Sequence, residues 1–160
     1  MRKLFNLHFL KHRPHIILMG KKFRFLEGAT ADILFDAFGE TLEECFSNAG
    51  KAVFEVMSDT SIVKPDEREE FEITSKDEKS LLFDFLNELI YLSDCRKMFF
   101  SSFNLKITRT DSGLSLKAVC FGEKINPKRH ELRTEVKACT YHSMDVKKNG
   151  KWRARVLLDV

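Results

Sequence analysis

Along the regular part of this chain, apolar and polar positions change period twice, from two to the helical 3.6 and back. From Lys22, "KFRFLE" alternates Phe23 and Phe25 with more polar partners, the signature of a half-buried strand, and "DILFDAFG" reads as a second strand ended by Gly39. The two are expected to pair antiparallel through a turn at Gly28 to Ala31. In "TLEECFSNAGKAVFEVMSD" the period lengthens: Leu42, Cys45, Phe46, Ala49, Val53, Val56 and Met57 fall on one helical face. Thr41 followed three residues later by Glu44 is a capping box that can satisfy two otherwise orphaned amides, and only Gly50 speaks against the helix by propensity. "REEFEITSKD" alternates Phe71 and Ile73 with acids, a third strand. Ser75 with Glu78 then reads as the cap of a second helix, whose Leu81, Leu82, Phe85, Leu86, Leu89 and Ile90 form its buried stripe.

Beyond the second helix the pattern is strand after strand: "FFSSFNLKITRT", "LSLKAVCFGE", "TEVKACTYHSMDVKKNG" and "KWRARVLLDV". Hairpin signals stand at Asp111-Ser112-Gly113 and Lys148-Asn149-Gly150, with a looser loop through Asn126-Pro127. Strands that follow one another without intervening helices pair antiparallel. The expected class is therefore α+β, an antiparallel sheet with two helices packed on one face.

Composition agrees with one globular domain. The 160 residues are 43% hydrophobic and 32% charged, and fifteen Phe supply enough apolar volume for a core without disulfide staples. Cys45, Cys95, Cys120 and Cys139 are widely spaced with no C-x-x-C pair, so they read as core or surface thiols in a reducing cytoplasm. Charge refines the picture. Residues 1–22 hold six cations and no acid, so the other 138 residues sum to −3 although the whole chain is +3. Residues 1–21 therefore read as a flexible basic extension of a domain over 22–160, and that domain lacks the basic excess of a stand-alone nucleic-acid binder. Any service to RNA is expected to run through a partner. The longest apolar run of the extension, Ile16 to Met19, is too short for a signal core or a membrane span, which points to a cytoplasmic protein without a membrane partner.

No glycine-rich phosphate loop, G-x-S-x-G, H-E-x-x-H or dinucleotide fingerprint is present. His142, beside Tyr141, is open to reading as a proton carrier, a metal ligand or a hydrogen-bonded structural residue. Two aspartates carry more weight. Asp32 opens the second strand and Asp159 closes the last; singly, each is a turn former or an edge charge. If the last strand lies beside the first hairpin, Asp32, Asp159 and the carboxylate of Val160 converge as hard oxygen donors, a set suited to calcium, magnesium or manganese.

The T-A-D of Thr30-Ala31-Asp32, with "TLEECFSNA", "LLFDFLNELIYL", "FGE" at Phe121 to Glu123, "EVKACTYHSM" at Glu135 to Met144 and the terminal "LLDV", resembles the archease family over nearly the whole of residues 22–160. The resemblance implies a non-catalytic accessory of the RNA ligase that joins tRNA exon halves, one that promotes guanylylation of the ligase and its multiple turnover. It implies a metal site at Asp32, Asp159 and Val160, most often holding Ca2+, with Mg2+ or Mn2+ as alternatives. It adds Lys137 as a functional candidate, with Tyr141 and His142 as further candidates for ligase contact. One departure is visible: Ala29 stands where many members have a histidine before T-A-D. Two other readings stay open, a general chaperone or modulator of RNA-modifying enzymes, and a small metal-dependent hydrolase with His142 or Glu123 as its base.

Overall fold

In the computed structural model, which describes residues 22–26 and 32–160, the alternating segments form β1 (Phe23–Leu26) and β2 (Ile33–Gly39). They are followed by α1 (Leu42–Met57), a 3-10 turn (Thr60–Ile62), β3 (Glu67–Ser75) and α2 (Glu78–Arg96). β4 (Met98–Thr110), β5 (Gly113–Lys124), β6 (Ala138–Asn149) and β7 (Lys151–Asp159) complete the order. The basic segment 1–21, the expected turn at Gly28 to Ala31 and the Thr30-Ala31 half of the T-A-D motif lie outside the described residues.

The class is α+β and every strand pairing is antiparallel, with the strands divided between two sheets. One has the order β1-β2-β7-β6 and the other β3-β5-β4. Each helix touches both: α1 packs on β2, β7 and β4, and α2 on β6, β3, β4 and β5. A helix covered from two sides must bury more of its circumference than a single stripe provides. Accordingly α1 also buries Asn48, Gly50, Ala52, Phe54 and Glu55. The absent side chain of Gly50 admits Phe103 and Leu89, which would stand 3.1 and 3.2 Å from an added Cβ. Phe46 stacks on Phe85 at 6.1 Å, and Phe54 meets Phe100 edge-on at 5.5 Å. These rings join both helices to the second sheet.

The first cap forms as expected: Thr41 Oγ1 accepts from the Glu44 amide at 3.1 Å, and the Glu44 carboxylate accepts from the Glu40 amide at 3.2 Å. The second is displaced. Ser75 is the last residue of β3, opposite Leu114, and its hydroxyl donates to Asp84. Asp77 caps α2 instead, accepting from the Ser80 amide at 2.8 Å. An aspartate two residues further on competes successfully because the ladder holds Ser75 in the sheet.

The strand expected from Thr134 begins later, at Ala138. The preceding residues serve α1, where the Arg133 and Thr134 amides donate to the carbonyls of Met57 and Val56, two of the four that a helix end leaves without partners. Arg133 also reaches the buried Glu55 at 2.8 Å, pinning this segment to the helix. Cys45, Cys120 and Cys139 are buried free thiols, each pushed up to about 12 by burial, and Cys95 is exposed.

Candidate functional site

The last strand does lie beside the first hairpin. β7 is flanked by β2 and β6, and its register with β2 sets Ile33 opposite Leu158. One further step along that register brings Asp32 opposite Asp159. On the other flank Ala138 pairs with Asp159, and the Lys137 amide donates to the Asp159 carbonyl at 2.9 Å. Val160 packs its side chain against the core, which anchors the residue following Asp159. Asp32, Asp159, Val160 and Lys137 thus share one end of the four-stranded sheet.

The strand alternation aims Ile33 and Leu158 inward, both buried, and leaves Asp32 and Asp159 on the outer face. Both are half-buried, and among the described residues neither carboxylate has a hydrogen-bond or ion-pair partner. Like charges placed directly opposite each other destabilise a sheet. A divalent cation held by hard oxygens would relieve that repulsion, so the donor set fits such an ion. Among the described residues no three His, Cys, Asp and Glu side chains gather as ligands. The corner instead offers two side-chain carboxylates, with Val160 beside them.

Tyr141 and His142 are not drawn into this corner. β6 shifts register between Thr140, opposite Leu157, and Asp145, opposite Arg155, so the four residues between them face only Val156. Ser143 takes the left-handed conformation at φ 61° and Met144 turns inward, so the segment bulges from the sheet. Tyr141 lies edge-on to Phe83 at 5.5 Å, with the Lys79 ammonium 4.2 Å from its ring. His142 is exposed, and its carbonyl accepts from Thr140 Oγ1 at 3.3 Å. Lys137, also exposed, stands instead at the end of a cleft of about 590 Å³ between α2 and the segment leading into β6.

Among the described residues the buried histidine is His130. Its Nδ1 accepts from the Asn126 amide at 2.9 Å, and its Nε2 lies 2.9 Å from Arg129 Nη2 and 3.1 Å from a Glu123 carboxylate oxygen. Burial, then the charge of Arg129, holds this imidazole below its ordinary range. Glu123 also receives Arg129 and the Lys64 amide. The carboxylate that a hydrolase would need as a free base is therefore occupied in tying loops together.

Asp36 is a second buried charge. Arg155 grips it through Nε and Nη2 at 2.8 and 2.9 Å, and Arg24 adds a contact at 3.3 Å. Burial pushes the Asp36 carboxyl up, but the bonds from Arg155 and Arg24 and the charge of Arg153 outweigh it and hold the group below the usual carboxylate range.

Fold and site together define a class: an α+β protein of two antiparallel sheets, with two carboxylates that have no partner among the described residues at the end of one of them. The chain belongs to the archease family, since the Archease protein family (MTH1598/TM1083) matches residues 23–160. It is 47% identical over 141 residues to the protein archease of Methanothermobacter thermautotrophicus, covering 88% of this chain and 99% of that one. It is 43% identical to that of Methanosarcina mazei, with 88% and 97% covered. The solution structure of Methanobacterium thermoautotrophicum protein 1598 superposes with a TM-score of 0.77 at 45% identity, covering 88% of this chain and 99% of that one.

Proposed function

We propose that this protein is a non-catalytic activator of the RNA ligase that joins tRNA exons, promoting guanylylation of the ligase and its repeated turnover. The observation that supports the reading is the β2–β7 register, whose last pair, Ile33 opposite Leu158, leaves Asp32 and Asp159 at one end of the sheet beside Lys137 and Val160, in a chain of the archease family. Asp32, Asp159 and the Val160 carboxylate would hold a divalent ion, most simply Ca2+, with Mg2+ and Mn2+ compatible with the same donors. The ion supplies concentrated positive charge for phosphate oxygens or for carboxylates of the ligase. Lys137 offers an exposed ammonium at the same sheet end, suited to a phosphate of the nucleotide or an acid of the partner. Tyr141 and His142, on the bulge further along β6, extend the surface available to the ligase. The domain's net −3 favours encounter with a basic, RNA-binding partner. In this reading RNA arrives with the ligase, in the cytoplasm. Among the described residues no helix is long and apolar enough to cross a membrane.

The deciding experiment is tRNA ligation with purified ligase, manganese and GTP. Asp32→Ala and Asp159→Ala are expected to retain the far-UV spectrum of the parent and to lose the stimulation of multiple turnover. Full stimulation by both variants would sink the reading of the acidic corner.

A further inference from the structure

β7 carries a charge gradient that the acidic corner does not use. With Ala154, Val156 and Leu158 buried, its outward positions run Lys151, Arg153, Arg155, Leu157 and Asp159. Arg24 on β1 and Lys147 on β6 widen the same face, opposite Asp36 and Arg153 respectively.

Two carboxylates lie among these five cations, and each is shared by two of them. Asp36 takes Arg155 and Arg24, and Asp145 takes Arg153 at 2.9 Å and Lys147 at 3.4 Å. Each cluster is left with one surplus positive charge, and Lys151 has no acidic partner among the described residues. This half of the face is therefore +3, within a body whose 138 residues beyond Lys22 sum to −3. An aromatic ring lies among the cations. Phe38 is partly buried opposite Arg153, with the Arg24 guanidinium over its ring 5.5 Å from the centre.

Outward positions on a strand recur about every 7 Å, so the cations form a line rather than a spot, a geometry suited to an extended phosphodiester chain. A basic track with a guanidinium-flanked ring is the combination that holds single strands through phosphates and base stacking. We propose that the outer face of the β1-β2-β7-β6 sheet binds single-stranded RNA. The backbone runs over Lys151, Arg153 and the surplus charge of the Asp36 cluster, and a base rests on Phe38. This contact is direct, and it is separate from the route through the ligase.

The test needs neither ligase nor metal, so its failure leaves the proposed function standing and the reverse also holds. Anisotropy of a labelled oligouridylate of about 12 nucleotides, a length within the ~4–16 that such surfaces accommodate, is followed between about 50 and 200 mM salt. The full-length protein is compared with Lys151→Gln/Arg153→Gln and with a second variant, Lys3→Gln/Lys11→Gln/Arg13→Gln, which reduces the charge of the N-terminal segment. The sheet variant is expected to bind roughly tenfold more weakly, with its log–log salt slope reduced by about 0.7 for each phosphate that is no longer neutralised. Circular dichroism confirms its fold. If the double substitution fails to fold, the exposed Lys151→Gln alone must still lower the slope. Absence of binding by the parent at the lowest salt overturns the proposal, as does a loss confined to the N-terminal variant. RNA binding by the sheet variant equal to the parent's, with the same salt slope, likewise overturns it.

Discussion

Asp36 shows what one buried charge does here. It has no exposed surface, and Arg155 and Arg24 compensate it. Asp36→Asn leaves Arg155 without its anion, and a loss of about 2 kcal/mol is expected, below the value for a fully buried pair because Arg155 is partly exposed. Since the folded carboxyl titrates below its ordinary 3.8, the unfolded chain takes up the proton first. The stabilisation is complete above pH ~4 and is lost as pH falls through the depressed folded value. Urea midpoints should therefore separate parent and variant at pH 7 and converge toward pH 3. A gap unchanged by pH would remove this ion cluster as its source. Asp36 was not legible beforehand, because alternation marks it only as the polar partner of a strand and its main ligand lies 119 residues later. Asp32 and Asp159 stood out because each interrupts the edge of an apolar run, but only the register, with Ile33 opposite Leu158, brings the two ends of the chain to one end of the sheet.

At the scale of elements, local chemistry was readable where sequence neighbours decide the outcome and unreadable where a distant strand does. Thr41 caps α1 as its spacing to Glu44 predicts, whereas Ser75 is claimed by β5 and Asp77 takes its place. The bulge that turns Tyr141 and His142 away from the corner gives no period-two warning, since "TYHSM" alternates poorly in any register. Gly122 of the F-G-E run is a related case. It pairs with Phe100 beside a register shift in β4, and an added Cβ would stand 1.9 Å from the Phe99 carbonyl oxygen. The clash is with backbone, so Gly122→Ala must push β4 and β5 apart. A drop above ~2 kcal/mol in chemical denaturation is expected, and a variant as stable as the parent would show that the strands separate freely.

For the whole molecule, the α+β class and the antiparallel pairing followed from strands that succeed one another, but the split into two sheets did not. Nothing in the alternation tells β7 to enter between β2 and β6 rather than beside β5. That insertion also makes the end of the sequence testable. Two glycines added after Val160 keep its side chain on the core and carry the carboxylate away. Calorimetry should then show Ca2+ affinity falling by about tenfold, the removal of one charged ligand, worth about 1.4 kcal/mol, with the melting temperature of the metal-free protein unchanged. Equal affinity would remove Val160 from the donor set. The position of β7 has a further consequence, for synthesis. β2 and β6 are joined only through residues 151–159, so a growing chain can close its second sheet, β3-β5-β4, while the first remains in two pieces. At roughly 5–20 residues per second, the inner edge of β2 waits on the order of ten seconds for its partner. A ribosome-bound chain stalled before Lys151 would present that edge unpaired, to a chaperone or to another copy.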